Sequence, residues 1–232
     1  MAGTIITIAR QMGSGGDAIG AELARALSIP LLDHQILEAA AAVAGASPDD
    51  VREGERVPGR MTQMLEYIAR SGGYAGESAL VEMEREAWNT GEKPFRQALT
   101  RADYRGLIER VLRQTAQESD AVIIGHGGAI VLAGNPNVFK VLVCSPLELR
   151  IGRLQASEGL TYGAARDRIR TDDRERAEYF RTYYKLNWLE AGHYDLTVNT
   201  GHINPASAVG VVLSVHARFA PSGQARLTVA TP

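Results

Sequence analysis

Arg10, Gly13, Ser14, Gly15, Gly16 and Asp17 fall within eight residues of one another. They follow the β-branched run Ile5-Ile6-Thr7-Ile8 and precede a helix-like spacing of Ile19, Leu23 and Leu27. Glycines lack Cβ atoms, so backbone N–H groups can converge on an anion, and a helix N-terminus adds partial positive charge. The chemistry this arrangement suits is phosphate binding. It departs from the G-x-x-x-x-G-K-[ST] spacing at three positions. Arg10 stands where the first glycine belongs, Gly16 where lysine belongs, and Asp17 where Ser/Thr belongs. Phosphoryl transfer needs cations on the transferring group. With no lysine after the loop, Arg10 is the nearest replacement if its side chain folds back over the cradle. Asp17 repels a triphosphate unless a magnesium ion lies between them, and it equally suits helix capping or a salt bridge.

Three further groups carry chemistry. Asp33 ends the apolar run Leu31-Leu32, where it is placed to bind magnesium through water, to position an acceptor, or to cap a helix starting at His34. His126 lies in the turn Gly125-His126-Gly127-Gly128 and can donate to phosphate, with full charge only below its pKa. Residues 161–185 hold Arg166, Arg170, Arg174, Arg176 and Arg181 among several carboxylates. On one unbroken helix, Arg166, Arg170, Arg174 and Arg181 share an arc of about 80°. That arc lies beside Ala177, Phe180 and Tyr184 rather than opposite them, so these arginines are expected to border a buried face and clamp phosphates. Ion pairs at i,i+4, Asp172 with Arg176 and Arg174 with Glu178, are the structural alternative. Arg150 and Arg153, on the preceding helix, are weaker candidates from the same side. The histidines lack metal-ligand spacing, and no G-x-S-x-G elbow occurs. Gly13-x-Gly15-x-x-Ala18, with Asp33 about 15 residues on, makes a dinucleotide-binding oxidoreductase the main rival. The arginine-rich segment has no role in that rival.

These groups need a scaffold that brings strand ends together. Short apolar runs at 4–9, 29–32, 121–124, 138–143 and 194–199 read as parallel strands covered on both faces. Helical patterns at 17–28, 34–44 and 146–157 separate them, which implies right-handed crossovers and a doubly wound sheet with ligands beyond the carboxyl ends of its strands. The stretch 47–118 shows no strand. It reads as a helical insert, with a helix start at Ser47-Pro48-Asp49-Asp50, helices near 60–70 and 94–118, and a break at Ser71-Gly72-Gly73-Tyr74-Ala75-Gly76. The insert either closes over substrate or covers the sheet. A linker at Pro221-Ser222-Gly223 precedes a β-prone Leu227-Thr228-Val229. At 232 residues and 45% hydrophobic, the chain suits one α/β domain over 1–217, with the insert at about 45–118, a lid at about 157–190 and a tail at 218–232. A net charge of −2 carries no nucleic-acid signature. The lone Cys144, in an apolar run, excludes an intramolecular disulfide and a zinc–cysteine cluster. No apolar run approaches the roughly 20 residues of a membrane span, so a cytoplasmic protein is expected.

The loop Ala9-Arg10-Gln11-Met12-Gly13-Ser14-Gly15-Gly16, followed by Ile29-Pro30-Leu31-Leu32-Asp33, resembles that of the cytidylate kinase-like proteins. The resemblance continues through Val122-Ile123-Ile124-Gly125-His126-Gly127-Gly128 and Thr171–Phe180 to Tyr194–Thr200. It implies a P-loop NTPase-like, doubly wound, five-stranded parallel sheet with a helical insert and a mobile lid. The implied activity is ATP- and Mg2+-dependent phosphoryl transfer to a nucleoside monophosphate or similar small phosphorylated acceptor. Gly13, Ser14, Gly15, Gly16 and Asp17 then face the donor, and Arg10, Arg174 and Arg176 offset developing charge. Asp33 holds metal or acceptor, while His126 and Arg170 bind the acceptor. His126 stands where cytidylate kinase has an arginine, and Gly127 where it has an aspartate. The alternative is a nucleotide-binding sensor with little catalysis, favoured by the missing lysine and Ser/Thr. The implied partner is a small nucleotide.

Overall fold

The computed structural model describes residues 4–44, 47–54 and 101–219. Strand β1 (Ile5–Arg10) leads into helix α1 (Gly16–Leu27), then β2 (Leu31–Leu32), α2 (His34–Ala44) and α3 (Pro48–Gly54). Helix α4 (Arg101–Glu118) precedes β3 (Ala121–Ile124), the short α5 (Gly128–Val131) and β4 (Val138–Cys144). Helices α6 (Leu147–Glu158) and α7 (Tyr162–Tyr184) follow, and β5 (Leu196–Asn199) and α8 (Pro205–His216) complete the order. The five strands form one all-parallel sheet in the order β2-β3-β1-β4-β5. β1 therefore sits at the centre and delivers its loop to the middle of the carboxyl edge, where ligands bind in such sheets.

Period-two alternation divides the core into two layers. Ile5, Ala121, Ile123 and Val138 face α2, α3 and α4 through Leu37, Val51 and Leu112. Ile6, Ile8, Val122, Ile124 and Val141 face α1 and α8 through Ile19, Leu23, Ala208 and Val212. Both faces are covered, as a sheet of continuous apolar strands requires. Helix starts follow from local chemistry. Asn204 Oδ1 accepts from Ser207 N at 2.8 Å with Pro205 beginning α8, and Thr161 Oγ1 accepts from Ala164 N at 3.3 Å to open α7.

Several expected boundaries move. The second strand holds only Leu31–Leu32 and the fifth begins at Leu196, because pairing with neighbours rather than hydrophobicity ends a strand. The helix start at 47–50 is present as α3, and α4 accounts for 101–118 of the expected 94–118 segment. The expected helix near 60–70, the break at 71–76 and the strand-like 227–229 lie outside the described residues. Among the described residues, no helix is long and apolar enough to cross a membrane.

The face of α7 differs from expectation. Ala165, Ile169, Tyr179 and Phe180 are buried and Arg176 is half-buried, whereas Ala177 is exposed. Packing of α7 on α6 through Ile151 and Leu154 selects this face. Arg170, Arg174 and Arg181 consequently point to solvent, and Arg166 is half-buried beside Asp167. The stripe is displaced from the buried face by roughly a third of a turn.

Candidate active site

The loop between β1 and α1 closes on itself. Gln11 N donates to Val143 O at 3.1 Å, extending β1 against β4, and Ser14 N donates to Gln11 O at 3.0 Å. The first helical bond of α1 runs from Ile19 N to Gly15 O. The N–H groups of Gly16, Asp17 and Ala18 therefore have no intrahelical acceptor, the usual state of a helix first turn and one that attracts anions. Ser14 is fully buried, and its Oγ has no hydrogen-bond partner among the described residues. An orphaned hydroxyl beside free N–H groups is what a bound phosphate would satisfy, so the residues present fit a nucleotide donor.

Gly16 shows where the missing lysine went. A Cβ at position 16 would lie 2.4 Å from Arg10 Cβ, so a side chain there and Arg10 in its present position exclude each other. Arg10 runs across the loop, with Nη1 2.5 Å from where a Cβ on Gly125 would stand. Its Nε donates to Asp17 at 2.8 Å. Asp17 is thus an ion-pair partner of Arg10 and remains exposed. Arg10 reaches the neighbouring cavity and is tied to Asp17 there.

That cavity, about 370 Å³, opens beside the loop and is bounded by Arg10, Asp33, His126, Arg176, Trp188 and Tyr194. Asp33 hangs from the end of β2. Its carboxylate turns toward His126 Nε2 (3.2 Å), which also meets Asp33 O at 3.0 Å, rather than capping α2. His126 is held at φ 50° between the positive-φ residues Gly125 and Gly127, a conformation disfavoured for a residue with a side chain. The bonds to Asp33 hold that turn. The His126 hydrogen bond keeps the Asp33 carboxyl below the usual carboxylate range against the opposing effect of burial, and the Arg10 charge acts in the same direction as His126.

On the far wall, Arg176 pairs with Asp172 (3.1 and 3.2 Å), and its guanidinium lies 5.4 Å from the centroid of the Trp188 ring. Trp188 is 1% exposed and stacks on Phe180, and Tyr194 Oη donates to Trp188 O at 2.5 Å. Burial pushes the Tyr194 hydroxyl up, so it stays a donor. Arg52 and Glu175 also border the cavity, whereas Arg170 and Arg174 do not. Among the described residues no three His, Cys, Asp or Glu side chains form a metal cluster. Magnesium shared with a nucleotide needs only one or two carboxylates, which Asp33 and Asp17 can provide.

Sequence reasoning gave Arg150 and Arg153 little weight and missed Thr200 and Trp188. Arg150, almost fully buried, forms a two-pronged pair with Asp173 (2.9 and 2.7 Å) and reaches Met12 O at 3.4 Å. Arg153 Nη1 lies 3.0 Å from Ser14 O and 3.2 Å from Gly13 O. Thr200 Oγ1 donates to Ser14 O at 2.7 Å. The i,i+3 spacing of Arg150 and Arg153 just after β4 was the available signal. Nothing local marks Thr200.

The model of the cytidylate kinase-like family matches residues 5–202. A cytidylate kinase from Haloarcula marismortui is 27% identical over 116 residues, 50% of this chain and 60% of the relative. The chain thus spans about three-fifths of that curated relative's length. An uncharacterized protein from Eubacterium ventriosum superposes with a TM-score of 0.61 at 18% identity, covering 92% of this chain and 98% of its own. A gluconokinase from Sinorhizobium meliloti superposes with a TM-score of 0.50 at 14% identity, covering 94% of each chain. These likenesses show the fold alone, a P-loop NTPase-like, doubly wound parallel sheet. With a family match across most of its length, and with loop, sheet order and cavity all in place, the chain belongs to the cytidylate kinase-like family.

Proposed function

We propose that this chain transfers the terminal phosphoryl group of ATP to a nucleoside monophosphate or a similar small phosphorylated acceptor. One observation carries the reading. A glycine loop with unsatisfied N–H groups and a cavity of acceptor size adjoin at Arg10, which borders both. Gly13, Ser14, Gly15 and Gly16 hold the donor phosphates at the N-terminus of α1. Asp33 and Asp17 are the carboxylates that would hold magnesium, which when bound offsets charge on the donor phosphates. Arg10 and Arg176 approach the acceptor from opposite walls, and His126 steadies Asp33 between them. Phe180 and Trp188 form an apolar side of the cavity, with Arg176 set over Trp188. Arg170 and Arg174 join this set only if α7 moves over the cavity, the lid motion that excludes water in such reactions. A phosphate acceptor is already anionic, so positioning and electrostatics suffice without a general base.

A coupled assay with ATP, magnesium and a panel of nucleoside monophosphates tests this. Acceptor-dependent ADP release is expected, with cytidylate the first acceptor to try given the archaeal relative. A second reading, a nucleotide sensor with little catalysis, draws on the neutralisation of Arg10 and Arg176 by Asp17 and Asp172. Tight ATP binding with no turnover across the panel would select it.

A further inference from the structure

Five arginines surround the phosphate loop and its cavity, and four of them are already paired with carboxylates. Arg10 pairs with Asp17, Arg52 with Asp49, Arg150 with Asp173 and Arg176 with Asp172. Arg153, on α6, differs. Among the described residues its guanidinium meets no carboxylate, and its hydrogen-bond partners are neutral oxygens. Nη1 reaches Ser14 O (3.0 Å), Gly13 O (3.2 Å), Ser145 Oγ (3.3 Å) and Thr200 Oγ1 (2.9 Å), while Nη2 donates to Thr200 O at 2.8 Å. Ser14, Ser145 and Thr200 are themselves buried. A half-buried guanidinium held only by neutral oxygens keeps its charge available to an anion nearby.

The geometry supplies a place for that anion. Arg153 lies on the carbonyl side of the loop, and the peptide that ends in Ser14 O carries the Gly15 N–H on its opposite edge. Drawing that carbonyl toward a guanidinium turns the N–H away from it, toward the cradle, and polarises the peptide so that the N–H becomes a stronger donor. Thr200 Oγ1 bonds the same carbonyl from the same side. A Cβ on Gly13 would lie 2.8 Å from Arg150 O, so α6 is packed directly against the loop and keeps Arg153 at fixed range.

We propose that Arg153 replaces the lysine missing at Gly16: a positioning residue that acts through the loop peptides from behind, with the donor's phosphate as its counter-ion. This rests on reading the loop as the donor site. It also gives the arginines separate roles. Arg10 and Arg176 face the acceptor cavity, and Arg153 serves the donor.

The test is calorimetric binding of ATP and of inorganic pyrophosphate to the full chain and to Arg153→Gln, Arg153→Lys and Thr200→Val, with thermal melts of each without ligand. Arg153→Gln is expected to weaken both ligands by about tenfold or more, the scale of losing a charge-assisted contact. Arg153→Lys should recover most of that loss, because the charge returns even though the fork does not. Thr200→Val removes a neutral partner of the same carbonyl and should weaken binding far less than Arg153→Gln. Equal losses in Thr200→Val and Arg153→Gln would show a purely scaffolding role and overturn the proposal. So would wild-type affinity in Arg153→Gln, or an Arg153→Lys as weak as Arg153→Gln. Should Arg153→Gln fail to fold, Arg153→Lys against Thr200→Val decides the matter: the proposal falls if the lysine variant binds pyrophosphate more weakly than the valine variant. Arg153-dependent pyrophosphate binding without phosphoryl transfer to any acceptor upholds the proposal while removing the phosphotransferase reading. No binding of either ligand by the wild type removes the donor site itself, and the proposal with it.

Discussion

At Gly16 a single missing side chain and a relocated charge are one feature. Arg10 Cβ occupies the space a side chain at 16 would need. Gly16→Ala is therefore expected to destabilise the fold by about 2 kcal/mol through overpacking. In the double variant Arg10→Gly/Gly16→Ala most of that loss should return, measured as non-additivity in urea unfolding. If the two substitutions simply add, the steric account is wrong. Arg176 borders the cavity, lying over Trp188 with Asp172 as its partner. Arg176→Met keeps the stem and removes the charge. It should raise KM for the acceptor by about tenfold while leaving KM for ATP near its starting value. Arg174→Ala, on the solvent side of the same helix, should do distinctly less. A larger effect at Arg174 would mean that α7 closes further than its packing on α6 implies.

Helix α6 packs against both α7 and the loop after β1. Its contact with α7 is apolar along Ile151, Leu154, Ala165 and Ile169, and it ends in the Arg150–Asp173 pair beside Met12. Arg150 is 4% exposed, so removing its counter-charge leaves a guanidinium buried without compensation. Asp173→Asn should cost about 3 kcal/mol in global stability, within the range for breaking a buried pair from one side. Replacing both partners, as Arg150→Met/Asp173→Leu, should recover much of it, since two apolar groups of similar shape need no solvation. A denaturant series on the single and double variants reads this directly. Failure of the double variant to exceed Asp173→Asn would show that the pair does more than neutralise itself. The orientation of α7 also explains why its arginines differ in role. The face chosen by packing on α6 keeps Arg176 inward and turns Arg170, Arg174 and Arg181 outward.

Across the whole molecule, acid should weaken the fold where β2 and β3 end. The Asp33 carboxyl is held below its ordinary range by His126. A carboxyl depressed in the folded state contributes stability at pH above its unfolded value and loses it as pH falls through the folded value. Stability measured from neutral pH down into the acid range should thus decline more steeply in the wild type than in Asp33→Asn. Parallel curves would deny that the Asp33–His126 bond holds the β3 turn. The order of elements, the parallel sheet and the phosphate loop were legible in the chain because they rest on local rules: strand periodicity, glycine conformational freedom and the first turn of a helix. The i,i+4 pair of Asp172 with Arg176 was legible too, but the distant partners of the charges were not. Asp33 with His126, Arg153 with Thr200 and Arg150 with Met12 join residues 93, 47 and 138 positions apart. Such pairings arise only when parallel crossovers gather the carboxyl ends of β1 to β5 along one edge. By itself, then, the sequence determined a loop built for phosphate and a parallel sheet to carry it. Only tertiary packing decided which arginines stand behind that loop and which face the cavity, because side-chain neighbours across a sheet edge are chosen by strand order and helix face, and neither is a local property.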